Sequence, residues 1–153
     1  MSEYLLRGAE FLVTKDNYRR VLNGADDKLR GGAVAEIGTA LSTEGEVVDA
    51  QGCVVTPGLV NTHHHLYQTL TRAVPAAQDA LLFGWLSTLY PIWSRFTPEH
   101  MFVSAQVGLA ELALSGCSLT SDHLYLYPSG ARLEDTIEAA REVGLRFQPT
   151  RGA

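Results

Sequence analysis

The stretch PGLVNTHHHLYQ, Pro57 to Gln68, places His63, His64 and His65 side by side, three of the five histidines in a chain of 153 residues. A short apolar run precedes them and reads as a strand. In an extended backbone successive side chains alternate, so His63 and His65 share one side and His64 takes the other. A neutral imidazole nitrogen is a good donor to zinc and similar ions near pH 7. Two of them, one residue apart on one side of a strand, can both reach a single cation. The competing reading of an HxH string is a strand end facing solvent. The Pro-Gly and the apolar run in front of it favour the metal.

Such a pair acts only where a fold holds it still. Residues 1–56 read as short strands separated by turns at Asn23-Gly24, Gly31-Gly32 and Glu44-Gly45, a small β element. CVVTPGLVN then reads as one nearly continuous apolar strand, buried on both faces. Ala80 to Phe96 is apolar, carries Trp85 and Trp93, and predicts a helix ending near Pro91 or just beyond. Thr97-Pro98-Glu99 has the form of a helix start, with Thr as N-cap, Pro at the first position and an acid in the first turn. The helix it opens shows Met101, Ala105, Leu109, Leu112 and Ala113 on one side and stops at Gly116. SLTSDHLYLY predicts a second strand, LEDTIEAAREVG a helix with Leu133, Ile137, Ala140 and Val143 on one face, and LRFQPT a third strand. Strand, helix, strand, helix, strand with short connections is the pattern of a parallel α/β sheet. A full (β/α)₈ barrel takes roughly 250 residues, so residues 57–153 could hold fewer than half of its units. In such sheets function gathers at the carboxyl ends of the strands, where both the triple histidine and His123 fall. His100 lies in a helix's first turn and is expected to be solvated.

The composition narrows the partners. A formal net charge of −5 and the lack of any Lys/Arg cluster argue against nucleic acid, while an uncharged free base remains compatible. Cys53 and Cys117 form no CxxC and read as two buried free thiols. MSEYLLRGAEFLV has no basic region followed by a long apolar core, and no apolar stretch is long enough to span a bilayer. A soluble, cytoplasmic protein without a membrane partner is expected.

The segment VVDAQGCVVTPGLVNTHHHLYQ, Val48 to Gln68, resembles the approach to the barrel in the amidohydrolase superfamily, where a V-D-A-x-G turn leads through Pro-Gly and an aliphatic pair into a metal-binding HxH. The residues before it resemble half of that superfamily's small β-sandwich. HHHLYQTLTRAVP, FGWLSTLYPIW and SGCSLTSDHLYLYP are most similar to the deaminases of oxidised guanine, with guanine deaminases and triazine hydrolases close by. The resemblance implies an α/β fold: part of a β-sandwich over residues 1–56, then the first three β/α units of a (β/α)₈ barrel.

It also implies roles. His63 and His65 are the first two ligands of one divalent ion, zinc first and iron second, and His64 packs behind them. Gln68 stands where the guanine-deaminase relatives set a glutamine against the base, and an amide can donate to and accept from a purine edge. Trp85 matches a tryptophan near the pocket and can pack on a flat ring, or belong to ordinary helix packing. His123 contacts substrate or is a satisfied structural histidine. The implied reaction is hydrolytic deamination of an amino-substituted purine-like base, 8-oxoguanine to urate and ammonia, by water activated on the ion. The remaining ligands and the acid–base groups come from later strands in this superfamily, so no catalytic residue is assigned within residues 1–153. The chain is thus expected to be the N-terminal part of a longer enzyme and inactive by itself. A triazine or guanine aminohydrolase, and in another class a non-catalytic scaffold of the same fold, are the alternatives. A homo-oligomer is expected from the apolar Trp-bearing helix around residues 81–93.

Overall fold

The computed structural model describes residues 2–152 and divides into two compact units, Met1–Pro57 and Gly58–Ala153. The first unit is a five-stranded sheet. β1 (Glu3–Val13) pairs antiparallel with β2 (Val21–Arg30), which pairs antiparallel with β3 (Ala33–Gly38); β4 (Glu46–Asp49) and β5 (Val54–Val55) both run parallel to β1. Over the residues expected to form part of a β-sandwich the structure holds this one sheet. Its core is Ala9, Leu12, Ala25 and Ala50, ringed by Leu6, Leu22, Ile37 and Val55. Gly31-Gly32 forms the predicted two-residue hairpin loop, with φ of +60° and +82°, both positive as a type I′ turn requires. Asn23-Gly24 does not turn the chain but lies inside β2. The strand pair instead absorbs an irregularity at Arg7-Gly8, where Gly8 takes φ +70°. The buried Asp26 pins this bulge: its Oδ1 accepts from Gly8 N at 2.8 Å and its Oδ2 from Leu41 N at 2.8 Å.

The second unit is a three-stranded parallel sheet in the order β6 (Leu59–Asn61), β7 (Cys117–Leu124), β8 (Arg146–Arg151). Three helices accompany it: α1 (Leu82–Trp93), α2 (Pro98–Leu114) and α3 (Leu133–Val143), with a short 3₁₀ helix over Leu66–Thr71. α3 ends at Gly144, whose φ of +79° forms a left-handed cap. The helices and the two later strands are close to those predicted, but two predicted faces differ. On α2 the buried stripe is Met101, Ser104, Ala105, Gly108 and Leu109, while Ala113 is exposed. On α3 it is Thr136, Ala139 and Ala140, with Leu133, Ile137 and Val143 half-buried. Small residues face inward there because the helices lie close to the elements beneath them.

CVVTPGLVN is not one strand. Val54-Val55 joins the first sheet and Leu59–Asn61 the second, with Thr56-Pro57-Gly58 between them. Pro57 has no N–H to give to a ladder, which ends the pairing on its amino side. Nor is the second piece buried: Leu59 is 60% and Val60 58% exposed, and among the described residues β6 pairs with β7 alone. Gly58 permits the close approach of the two strands, since a Cβ there would lie 2.5 Å from the Ser118 side chain. Of the two thiols, Cys117 is buried and Cys53 is exposed at the turn before β5.

Two apolar clusters hold this unit. One packs Tyr67, Leu89, Trp93, Phe96, Met101 and Leu124; the other packs Leu66, Ala105, Leu109, Ala139 and Ala140. Trp93 is fully buried and donates its indole N–H to Thr71 Oγ1 at 3.0 Å, satisfying its one polar atom. His100, expected to be merely solvated, is exposed but caps α2: the Thr97 backbone N–H donates to its Nδ1 at 3.2 Å, and its ring stacks on Phe96.

Candidate metal centre

The ladder between β6 and β7 continues past the last residue of β6. His123 N donates to His64 O at 2.9 Å, so the chain is still extended through the triple histidine. Alternation then follows from geometry. The His63 and His65 rings meet edge to face with centroids 4.9 Å apart. His64 turns the other way, toward α2, where its Cε1 would lie 3.9 Å from a Cβ on Gly108. There its Nδ1 is buried without a hydrogen-bond partner, and burial, with the neighbouring His65, Arg72 and His63, lowers its pKa. His64 is therefore held neutral and points away from the other two rings.

His65 is oriented by a contact that also selects its tautomer. Its Nδ1 lies 2.8 Å from the backbone oxygen of His123. A carbonyl can only accept, so Nδ1 carries the proton and Nε2 keeps its lone pair. Fixing one imidazole nitrogen on a carbonyl is how a metal-binding histidine is ordinarily aimed. The donor chemistry of His63 and His65 thus fits a divalent ion of the zinc type. Among the described residues no group of three or more His, Cys, Asp or Glu side chains is placed to hold a metal, so the pair makes up half of a usual donor set.

The turn after His65 is pinned on both sides. Leu66 N donates to Asp122 Oδ1 at 2.8 Å, and Leu66 O accepts from Ser104 Oγ at 2.7 Å. β7 and α2 therefore both grip the backbone of the buried Leu66, next to the His63–His65 pair. Asp122 is fully buried, its Oδ2 has no partner, and burial pushes its pKa up to about 6 against the pull of the Leu66 N–H and the nearby His65 and His123. Sequence reasoning assigned Asp122 nothing. The alternation of β7, with Thr120, Asp122 and Leu124 all inward and buried, was the available signal.

His123 lies beside the pair, its ring centroid 5.7 Å from that of His65. Tyr125 adjoins both, at 5.2 Å from His65 and 5.8 Å from His123. The Gln68 amide nitrogen reaches the hydroxyls of Tyr67 at 3.1 Å and Tyr125 at 3.3 Å, which spends both of its N–H donors and leaves Oε1 free. Tyr67 is buried and its phenol pKa is raised by that burial, so it stays protonated. Trp85 is half-buried and packs edge-on against Trp93 at 5.2 Å; Trp93 meets Tyr67 at 5.2 Å, and Tyr67 meets Tyr125 at 5.5 Å. Trp85 therefore stands at the far end of an aromatic chain that reaches the histidines, rather than beside them. Arg72 forms an exposed ion pair with Glu111 at 2.7 Å.

Residues 54–152 match the sequence model of the amidohydrolase family. The chain belongs to that family. Among curated relatives of this amidohydrolase, the 8-oxoguanine deaminase of Pseudomonas aeruginosa is 51% identical over 107 residues, covering 69% of this chain and 24% of that protein. An isoxanthopterin deaminase from an unknown prokaryotic organism is 40% identical over 97% of this chain and 33% of its own length. Among solved structures, the zinc-complexed atrazine chlorohydrolase TrzN of Arthrobacter aurescens TC1 superposes with a TM-score of 0.91 at 29% identity, covering 97% of this chain and 35% of that one. The chain thus spans about a third or less of the length of the relatives it matches. No helix among the described residues is long and apolar enough to cross a membrane.

Proposed function

We propose that this amidohydrolase chain carries the first metal-binding pair, His63 and His65, of an aminohydrolase that removes an amino group from a purine-like ring, with 8-oxoguanine as the first substrate. The observation that carries the proposal is the convergence of two imidazoles, 4.9 Å apart at the carboxyl end of β6, with the Nε2 of His65 left free by its carbonyl contact. The order β6-β7-β8 with intervening helices supports reading this unit as the first three β/α units of a (β/α)₈ barrel, whose carboxyl-end loops hold the site. The 51%-identical deaminase supports the substrate.

His63 and His65 would hold one divalent ion, with zinc favoured by the zinc-complexed relative. When bound, that ion supplies the acidity that brings water within reach of ionisation near neutral pH. Leu66, gripped by Asp122 and Ser104, fixes the turn that sets His65. Gln68 and His123 line the wall against which the base is oriented, and Trp85 braces that wall through Trp93 and Tyr67. No general acid or base is assigned in this chain. The substrate is a small base; no nucleic acid or membrane partner is proposed, the protein would work in the cytoplasm, and the apolar residues Leu81, Leu82 and Phe83, all exposed, favour self-association.

A second reading is a triazine hydrolase, favoured by the TM-score of 0.91 with atrazine chlorohydrolase. Ammonia release from 8-oxoguanine and isoxanthopterin, and chloride release from atrazine, measured on the intact metal-loaded protein, separate the two. Ammonia from 8-oxoguanine at the highest kcat/KM is the expected result. Turnover of the triazine with no ammonia from either bicyclic base would reverse the assignment.

A further inference from the structure

We infer that Thr150 is a positioning residue that locks His123 in the tautomer with its proton on Nδ1, so that the site offers a ligand an acceptor at Nε2 and selects bases presenting a ring N–H there. The selectivity part of this inference rests on the base-binding role proposed for His123; the tautomer part does not.

The argument is an accounting of protons. A threonine hydroxyl has one hydrogen to give. Thr150 Oγ1 gives it to the backbone oxygen of Asp122, 2.9 Å away across the β7–β8 pair. Its oxygen can then only accept from His123 Nδ1, which lies 3.0 Å away. His123 therefore carries its proton on Nδ1, the opposite of the preference of a free neutral imidazole in water, and its Nε2 holds a lone pair. Two further observations agree. Gln68 has spent both amide hydrogens on Tyr67 and Tyr125, so the one group it has left to offer a ligand is also an acceptor, Oε1. Gly152 keeps the His123 edge open, since a Cβ at that position would lie 2.8 Å from Nε2 and 2.6 Å from the Tyr125 Cβ. Two acceptors around Tyr125 suit a lactam or amidine edge rich in N–H groups and disfavour an N-alkylated ring.

The test uses the intact protein, metal-free and labelled with ¹⁵N-histidine, with the His123 signals assigned from their loss in His123→Asn. Wild type should show a protonated Nδ1 and an unprotonated Nε2. Thr150→Val, which removes the hydroxyl at nearly constant shape, should shift the tautomer ratio toward Nε2–H by about two- to tenfold, the value of one hydrogen bond, and Thr150→Ser should restore it. A wild-type ring protonated on Nε2, or a ratio unmoved by Thr150→Val, would overturn the lock even if 8-oxoguanine is turned over. For selectivity, wild type should prefer 8-oxoguanine over a ring-N-methylated analogue in direct binding by about tenfold, and Gly152→Ala, whose Cβ would crowd His123 Nε2, should weaken both. Equal binding of the two bases by wild type would defeat the selectivity claim. A failure of every base to yield ammonia would instead count against the proposed function and leave the tautomer result standing.

Discussion

Replacing Asp122 with asparagine separates what a buried carboxylate costs from what its geometry provides. Asp122 is fully buried, accepts one hydrogen bond from Leu66 N and leaves Oδ2 without a partner. Its ordinary value of 3.8 is pushed up to about 6 by burial. A raised carboxyl means that the native state holds a proton the unfolded state has lost, so between pH ~4 and ~6 stability falls as pH rises. At about 1.4 kcal/mol per pH unit, the ionised form costs about 3 kcal/mol once the pH exceeds the folded value, and nothing below the unfolded one. Asparagine keeps an oxygen for Leu66 and cannot ionise. Near pH 4 the two proteins should therefore have similar stability, and by pH 7.5 Asp122→Asn should be the more stable by about 3 kcal/mol. Urea unfolding of the metal-free chain, followed by tryptophan fluorescence, is a suitable assay because both tryptophans, Trp85 and Trp93, lie in the unit that contains Asp122. Taking the difference between the two proteins at each pH cancels the other titrating groups. A difference that changes by less than about 1 kcal/mol between pH 4 and 7.5 would refute the buried-charge reasoning.

In the intact enzyme, His63→Asn or His65→Asn should lower kcat/KM by about three orders of magnitude or more and release the metal, whereas His64→Asn, on the opposite side of the backbone, should keep metal and most activity; metal analysis beside steady-state rates checks this, and equal losses at all three would contradict the alternation. If Gln68 has the proposed role, Gln68→Ala should compress the preference among bases by about tenfold with a smaller effect on the best substrate, because it removes the amide oxygen left free to accept from a base; unchanged rate ratios would take Gln68 out of the base site. Asp26→Ala strips the hydrogen bonds from Gly8 N and Leu41 N in the first sheet and should cost about 3 kcal/mol, seen as faster amide exchange at Gly8 and Leu41 with the histidine site untouched.

The parts of the fold written in local pattern were legible. Thr97-Pro98 opened α2, Gly144 closed α3, Gly31-Gly32 turned the first hairpin, and alternation through three adjacent histidines brought His63 and His65 together. What escaped depends on partners distant in sequence. Pro57 divided an apolar run that hydrophobicity alone joins, because the two halves find different sheets. Asn23-Gly24 carried a turn signal, but pairing along the whole of β2 overrode it. Asp122 and Thr150 looked like ordinary polar residues until Leu66 and His123 were seen against them, over sequence separations that no local pattern spans. His100 seemed idle because a cap formed by a histidine at the third helical position is not a familiar signature. Period alone puts Ala113 inward, yet it is exposed, because the buried surface of α2 follows the small residues that let the helix approach its neighbours.

β6 is only three residues long, and the histidines lie beyond its end. The amide of His123, bonded to His64 O, is the last backbone-to-backbone rung between them and the neighbouring strand. A frayed edge there would release the backbone that sets the two imidazoles side by side. Deuterium uptake at that single amide therefore serves as a gauge of whether the histidine pair is assembled, readable without substrate, turnover or metal.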